Sequence, residues 1–459
     1  MTAGRRRPSG RIGIGIAVGA VGVAGIVAGI TVSIDGSGTS HRQVSPPGGA
    51  ADPEAVRAAA VQRVLDARAA AVHNRDEQAF LATVDDRDSA FVDRQRSLFG
   101  SLSAVPFSSF GYELGRGPGR TGDGTWEPPE VTLRYQISDY DPTAVSLRQH
   151  DTFTLRDGRW LLADDDLGPV LAGGPQNGGG AGEPTQPAIW DLGAVSVVRG
   201  DRSLVIGTGS PDRLRDIATE TDRDIPDITA VWGPDWAQRA LVVVPSTTAQ
   251  FVALTGQHGD VSKLEAVQSA EQRGDAGAEE TTGNRITINP EPYGALSSAG
   301  RRVVVTHELT HVATRASTGA QTPLWLAEGF ADYVGFLRSG IPVPDVTTEL
   351  RGALVTGGLP PHLPVDGDFA VGSAQPAVAY EESWLACRLI VRTGDQAALV
   401  AFYRAVGQQP APAGTAQADV QAAEDRAVAA GLARSGLATL ASPAAFTAGW
   451  RDSLATLLG

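Results

Sequence analysis

The chain has 459 residues, a length that fits two or three domains of roughly 100 to 200 residues and excludes one small module. With 42% hydrophobic and 20% charged residues there is enough apolar material for real cores, so a mainly disordered protein is excluded as well. A net charge of −14 argues against nucleic acid as a partner, because affinity for phosphate comes mostly from Lys and Arg. The one cysteine, Cys387, permits neither an intramolecular disulfide nor a structural zinc site built on Cys pairs, so any metal must be held by His and carboxylates.

Residues 1–11 include Arg5, Arg6, Arg7 and Arg11, and residues 12–34 then carry no charge. As a helix rising about 1.5 Å per residue, the uncharged run would span roughly 34 Å, the thickness of a bilayer core. It is longer than the apolar core of a cleaved signal peptide. The flanking arginines place the N-terminus in the cytoplasm, so the expectation is a single-pass protein of the cell membrane with everything after the span extracytoplasmic. Residues 35–52, with Ser45-Pro46-Pro47-Gly48-Gly49, read as a tether.

A first domain is expected over 53–171. Helical spacing predicts helices at 55–72, 77–84 and 89–102. Period-two alternation predicts a strand at 131–137, and residues 151–155 and 160–162 flank Asp157-Gly158 as a hairpin. Helices followed by antiparallel strands make an α+β unit whose order resembles the cone-shaped domains related to nuclear transport factor 2, which implies a binding or packing module. His73 and His150 stand alone in it.

The Gly/Pro-rich stretch 172–188 reads as a linker to a second domain over 189–459. Apolar runs predict strands at 204–206, 228–232 and 241–244, with a helix at 211–221 capped by Ser210. Residues 285–289 alternate and stop at Pro290, as an edge strand would. From there the chain reads as helical almost to its end, apart from a Gly/Pro-rich excursion at 339–376.

The apolar run Val303-Val304-Val305 leads into His307-Glu308-x-x-His311. On a helix the two histidines lie about 40° apart and one turn apart in height, so both imidazoles reach one metal ion. Glu308 falls on the flank of that face, placed to take a proton from a metal-activated water. A buried His pair with a Glu needs a partner such as a metal. A catalytic zinc further requires a third protein ligand and one open position.

A second apolar helix follows, Leu324-Trp-Leu-Ala-Glu328-Gly-Phe-Ala-Asp332, with Pro323 near its start. Together the two segments resemble the gluzincin metallopeptidases, the clan of aminopeptidase N and thermolysin. The resemblance implies one Zn2+ per chain on His307, His311 and Glu328, with Glu308 as general base. Asp332, one turn beyond Glu328, is placed to accept the spare N–H of a ligand histidine, as a carboxylate at that offset does in thermolysin-like enzymes. Tyr380, on an amphipathic helix downstream, resembles the tyrosine that stabilises the oxyanion in aminopeptidase N-like enzymes. Cys387 on the same helix reads as a core residue, and His362 lies in a loop between prolines.

The upstream Gly-x-Met-Glu-Asn stretch of aminopeptidase N-like enzymes, whose Glu holds the substrate's amino terminus, is replaced by Gly283-Asn-Arg-Ile-Thr-Ile-Asn289. Endopeptidase rather than aminopeptidase action is therefore expected. The expected fold is α+β: an N-terminal transmembrane helix, a small cone-like α+β domain, and a gluzincin domain with a mixed sheet, an edge strand and a helical subdomain. The expected function is membrane-anchored zinc-dependent hydrolysis of peptide or protein substrates. The alternatives are an inactive scaffold of the same fold at the cell envelope and a hydrolase of a non-peptide wall amide.

Overall fold

A computed structural model describes residues 52–122, 124–168, 185–257, 259–273, 280–370 and 372–458. Within them, 52–197 with 270–283 form one unit, and 198–269 with 284–458 form another. The architecture is mixed α+β, and it corrects the expected fold in one respect. No helix among the described residues is long and apolar enough to cross a membrane, so the expected transmembrane helix is not among the elements described; the run at 12–34 on which it was placed lies outside the described residues.

The first unit begins with α1 (Pro53–Asn74), α2 (Glu77–Leu81) and α3 (Ser89–Ala104). Each starts on an aspartate, Asp52, Asp76 or Asp88, whose carboxylate accepts a first-turn backbone N–H. The strands β1 (Phe107–Leu114), β2 (Arg120–Thr121), β3 (Thr125–Glu127), β4 (Val131–Ile137), β5 (Val145–Gln149), β6 (Thr152–Arg156) and β7 (Arg159–Asp164) follow. They form two sheets, in the orders β1-β4-β5 and β2-β3-β6-β7. Alternate residues of β4 are buried, as its period-two pattern requires. The β6–β7 hairpin turns at Asp157 and Gly158, both at positive φ (47° and 78°), the geometry that suits the right-handed twist of the strands. Val61 and Leu65 of α1 pack with Trp126, Phe153 and Leu162 in the core.

The second unit is built on β8 (Ser196–Arg199), β9 (Ser203–Gly207), β10 (Ala240–Val244), β11 (Ala266–Arg273) and β12 (Glu280–Ile288), in the order β11-β12-β10-β9-β8. Strands β9 and β10 run parallel, joined through α4 (Pro211–Trp232), and both are buried along their whole length. Strand β12 lies parallel to β10 on its other side. The helices α5 (Thr248–Thr255), α6 (Pro290–Ala295), α7 (Ser298–Thr314), α8 (Leu324–Leu337), α9 (Val343–Val346), α10 (Thr348–Gly357), α11 (Pro376–Thr393), α12 (Gln396–Gly407), α13 (Gln417–Arg434) and α14 (Pro443–Ala455) complete it.

Two local expectations are corrected here. Residues 228–232 are the last turns of α4, not a strand, because Leu214, Ile217, Ile225, Ile228 and Trp232 continue one buried helical stripe. Pro226 sits inside that helix, where a proline costs about 3 kcal/mol. Burying Ile228 and Trp232, at roughly 1.5 to 3 kcal/mol for each large side chain, offsets it. Residues 285–289 are interior to the sheet, since β11 lies outside β12. Pro290 marks the first turn of α6 rather than a sheet edge. The true edge, Ala-Val-Gln-Ser-Ala-Glu-Gln-Arg, has no sustained apolar period and is paired through its backbone.

Helices α7, α8 and α11 stack closely, and two glycines of α8 set the spacing. An added methyl at Gly335 would stand 3.1 Å from the Val303 carbonyl oxygen and 3.7 Å from His307 Cβ. At Gly329 it would meet the Ser383 carbonyl of α11 well inside van der Waals contact. Arg302 ties α7 to α4, its Nε 3.1 Å from the fully buried Asp224 and its Nη2 2.7 Å from Asp227. Gly329→Ala is expected to destabilise the fold by about 2 kcal/mol, since overpacking forces backbone shifts. Gly352→Ala, on α10 with open space around it, should instead stabilise by about 0.5 to 1 kcal/mol. Urea midpoints of the two variants check both signs.

Candidate metal centre

The HExxH segment lies at the centre of α7, whose Ser297 N-cap accepts the Gly300 N–H. Every residue from Val303 to Thr310 is buried, so the histidines are not on a solvated helix face. His307 and Glu308 are almost wholly inaccessible, while the His311 side chain keeps 17% of its surface. Helix α8 is buried from Trp325 to Gly335 and presents Glu328 and Asp332, also four residues apart, to the same place.

Three donor atoms converge there. His307 Nε2 is 3.1 Å from Glu328 Oε2, His311 Nε2 is 3.3 Å from the same oxygen, and the two Nε2 atoms are 3.0 Å apart. Ligand bonds of about 2.0 to 2.1 Å in tetrahedral geometry place donors roughly 3.3 Å apart, so this triangle has the dimensions of three ligands on one small divalent cation. On the far side of the ring, His307 Nδ1 is 2.8 Å from Asp332 Oδ1. A carboxylate accepts, so Nδ1 carries a proton, and Nε2, which faces the triangle, offers its lone pair to an ion once the ring's second proton has left.

The electrostatics favour a cation among these groups. Burial opposes charge on His307, but Asp332 and Glu328 outweigh it and raise the ring's pKa to about 10. Burial also pushes Glu328 up, and the charge of His311 with hydrogen bonds from both rings overcomes this and lowers it to about 2. Without a metal, Glu328 and Asp332 therefore favour a proton on His307.

Glu308 stands beside the triangle. Burial pushes its carboxyl up to about 7, against the pull of His307, His311 and the backbone N–H of Gln268, which donates to it. Its Oε1 is buried without a hydrogen-bond partner. Gln268 belongs to β11, so the edge strand borders the base. Glu265, just before that strand, is buried with an unpartnered Oε2, and burial together with the charge of Glu308 raises it to about 8. Neither Glu265 nor β11 was expected from the sequence. A lone Glu after Lys263-Leu264 carries no motif, and only the short apolar pair Ala266-Val267 hints at a strand.

Tyr380 is buried on α11, its ring edge-on to Phe369 with centroids 5.2 Å apart. It stands one turn before Ser383, where α11 meets Gly329. Cys387 is a fully buried core residue whose thiol is pushed up by burial. His362 is exposed, and its ring bonds the neighbouring Leu363 carbonyl at 2.8 Å, away from any cluster. Compared with known proteins, the chain matches no family model and no curated sequence.

Because the ring's pKa lies near 10, metal binding at pH 7 must expel the proton of His307. Affinity then rises with pH up to that value, and calorimetric zinc titration in buffers of different ionisation enthalpy should register about one proton released per metal. Asp332→Asn should weaken zinc binding roughly 10- to 100-fold and reduce that release. A proton count near zero in the unmodified chain would contradict the charge assignment.

Proposed function

We propose that the second unit is a zinc-dependent peptidase of the gluzincin type. The observation that carries this reading is Glu308, a buried carboxylate with one unpartnered oxygen beside a His/His/Glu triangle of tetrahedral dimensions. A purely structural metal site has no use for such a base. When bound, zinc supplies a Lewis acid that lowers the pKa of water and polarises a carbonyl.

The chain's own residues divide the remaining work. His307, His311 and Glu328 hold the ion, and Asp332 keeps the proton on His307 Nδ1 so that Nε2 stays a donor to it. Glu308 takes a proton from the attacking water through Oε1 and returns it to the leaving amine. We assign oxyanion stabilisation to the Tyr380 hydroxyl, on the helix that packs against Gly329 beside the ligand Glu328. Strand β11 is outermost in its sheet and touches Glu308 through Gln268, which suits an extended peptide added alongside it.

Glu265 favours a second reading of the substrate. A buried carboxylate with one unpartnered oxygen near the base suits a positive group on the substrate, and a peptide's free amino terminus is the commonest such group. This weakens the sequence case against aminopeptidase action, which rested on the lack of a carboxylate in Gly283-Asn-Arg-Ile-Thr-Ile-Asn289.

Glu308→Gln should retain stoichiometric zinc and lose peptide hydrolysis by about 10²- to 10⁴-fold. Metal content by mass spectrometry and turnover of a mixed peptide library measure both. Undiminished turnover would overturn the assignment, as would a metal-loaded wild type without turnover, the behaviour of a scaffold. Running the library with free and acetylated amino termini separates the two substrate readings. Glu265→Gln should cost activity on free termini alone if the second is right.

A further inference from the structure

The first unit contains a cavity of about 140 Å³, bordered by Arg94, Leu98, Leu167, Trp190 and Asp191. A second, smaller recess of about 20 Å³ shares Asp165, Trp190 and Asp191 with it and is lined also by Arg68, Tyr112 and Asp151. The charges around it do not cancel. Asp165 is matched, its Oδ1 2.6 Å from Arg94 Nη2 and its Oδ2 2.8 Å from the Gln95 amide. Arg68 is buried, and its guanidinium donates to the neutral oxygens Thr83 Oγ1 at 3.0 Å and Gln95 Oε1 at 2.6 Å. Its charge acts on Asp151, and Asp191 shares the recess with both. Asp191 is half-buried and accepts only the Ala188 N–H, at 2.7 Å, through Oδ2. Asp151 is 93% buried, being 7% exposed, lines the recess, and makes no side-chain hydrogen bond or ion pair among the described residues.

Above pH 7, once both carboxyls are ionised, one cation stands against two carboxylates and one negative charge is uncompensated. Burial raises Asp151 to about 7 against the charge of Arg68, with Asp165, Asp191 and Asp164 adding to the rise. Burial likewise raises Asp191 to about 7, helped by Asp165 and opposed by the Ala188 N–H. Asparagine or leucine would fill the position of Asp151 without this cost, so an unpaired carboxylate there is explained by something that binds it. An apolar cavity of about 150 Å³ holds a six-membered ring. The walls of this one, Leu98, Leu167 and Trp190, suit a small apolar body with a charged end.

We propose that this cavity is a binding site for a small organic cation, an ammonium or amidinium group on a short apolar or ring-sized body, with Asp151 and Asp191 taking the charge and Trp190 the body. The site is independent of the metal centre and of the reading given to it.

Benzylamine and its neutral counterpart benzyl alcohol are suitable probes, titrated into the full chain at pH 8 and followed by calorimetry and tryptophan fluorescence. Benzylamine should bind at least about tenfold more tightly than benzyl alcohol, a difference of roughly 1.4 kcal/mol. Asp151→Asn should remove the difference, and Glu308→Gln should leave it intact. Equal binding of the two probes would make the cavity merely apolar and overturn the proposal. No benzylamine binding up to about 10 mM would overturn it as well, as would a folded Asp151→Asn chain that still prefers the amine. The comparison of probes is made on the unmodified chain, so a poorly folding variant does not remove the test.

Discussion

The buried hydrogen bond from His307 Nδ1 to Asp332, 2.8 Å long, joins α7 to α8 and decides which nitrogen of His307 faces Glu328. With the neutral tautomer reversed, the proton left on the ring would sit on the nitrogen facing the triangle, and His307 could not ligate a cation there. The bond is possible because Gly335 lets α8 lie within methyl distance of Val303 and His307. Since residues four apart share a helix face, one close crossing brings two such pairs together: His307 and His311 from α7, Glu328 and Asp332 from α8. Arg302, held by Asp224 and Asp227, keeps α7 seated on α4 while this happens.

That arrangement is costly without its ion. Two carboxylates and two imidazoles lie in a nearly dry interior, where isolated charges cost several kcal/mol each. A proton on His307 offsets part of this, which is why the ring is so basic and Glu328 so acidic. A divalent cation would satisfy the same lone pairs more fully. Glu308 is different in kind: the Gln268 N–H meets its carboxylate, but its Oε1 is buried without a partner among the described residues, so its burial is only partly repaid. A group kept in that condition is consistent with work on something that arrives from outside.

Much of this was legible in the sequence, for identifiable reasons. The i,i+4 spacing of His307 and His311 is local, and helix geometry turns it into a shared face directly. Asp157-Gly158 specified its turn because so few residue pairs tolerate positive φ twice in succession. What depended on long-range pairing was harder. Residues 228–232 have strand-like composition, and only the register of the buried stripe from Leu214 onward, carried past Pro226, makes them helix. Strand β11 owes its place to backbone pairing with β12, and Glu265 owes its role to that place, so neither has a signature of its own. Tyr380 could be put on a helix from its neighbours, but its packing on Phe369 depends on the loop that precedes α11.

The two units pose the same physical problem and resolve it differently. Around α7 and α8 the acidic groups come with two imidazoles whose donor atoms stand 3.0 to 3.3 Å from one another and from Glu328, a spacing that leaves room for an ion and little else. Around Asp151 the cation Arg68 is held by Thr83 and Gln95 and cannot reorient without leaving those oxygens unpaired. Its planar guanidinium also lies 4.1 Å from the Phe80 ring centroid, a second restraint on movement. A restrained cation that compensates one ionised carboxylate of two defines how much the proposed ligand must bring: one positive charge, delivered at the end of an apolar body that fits beside Trp190.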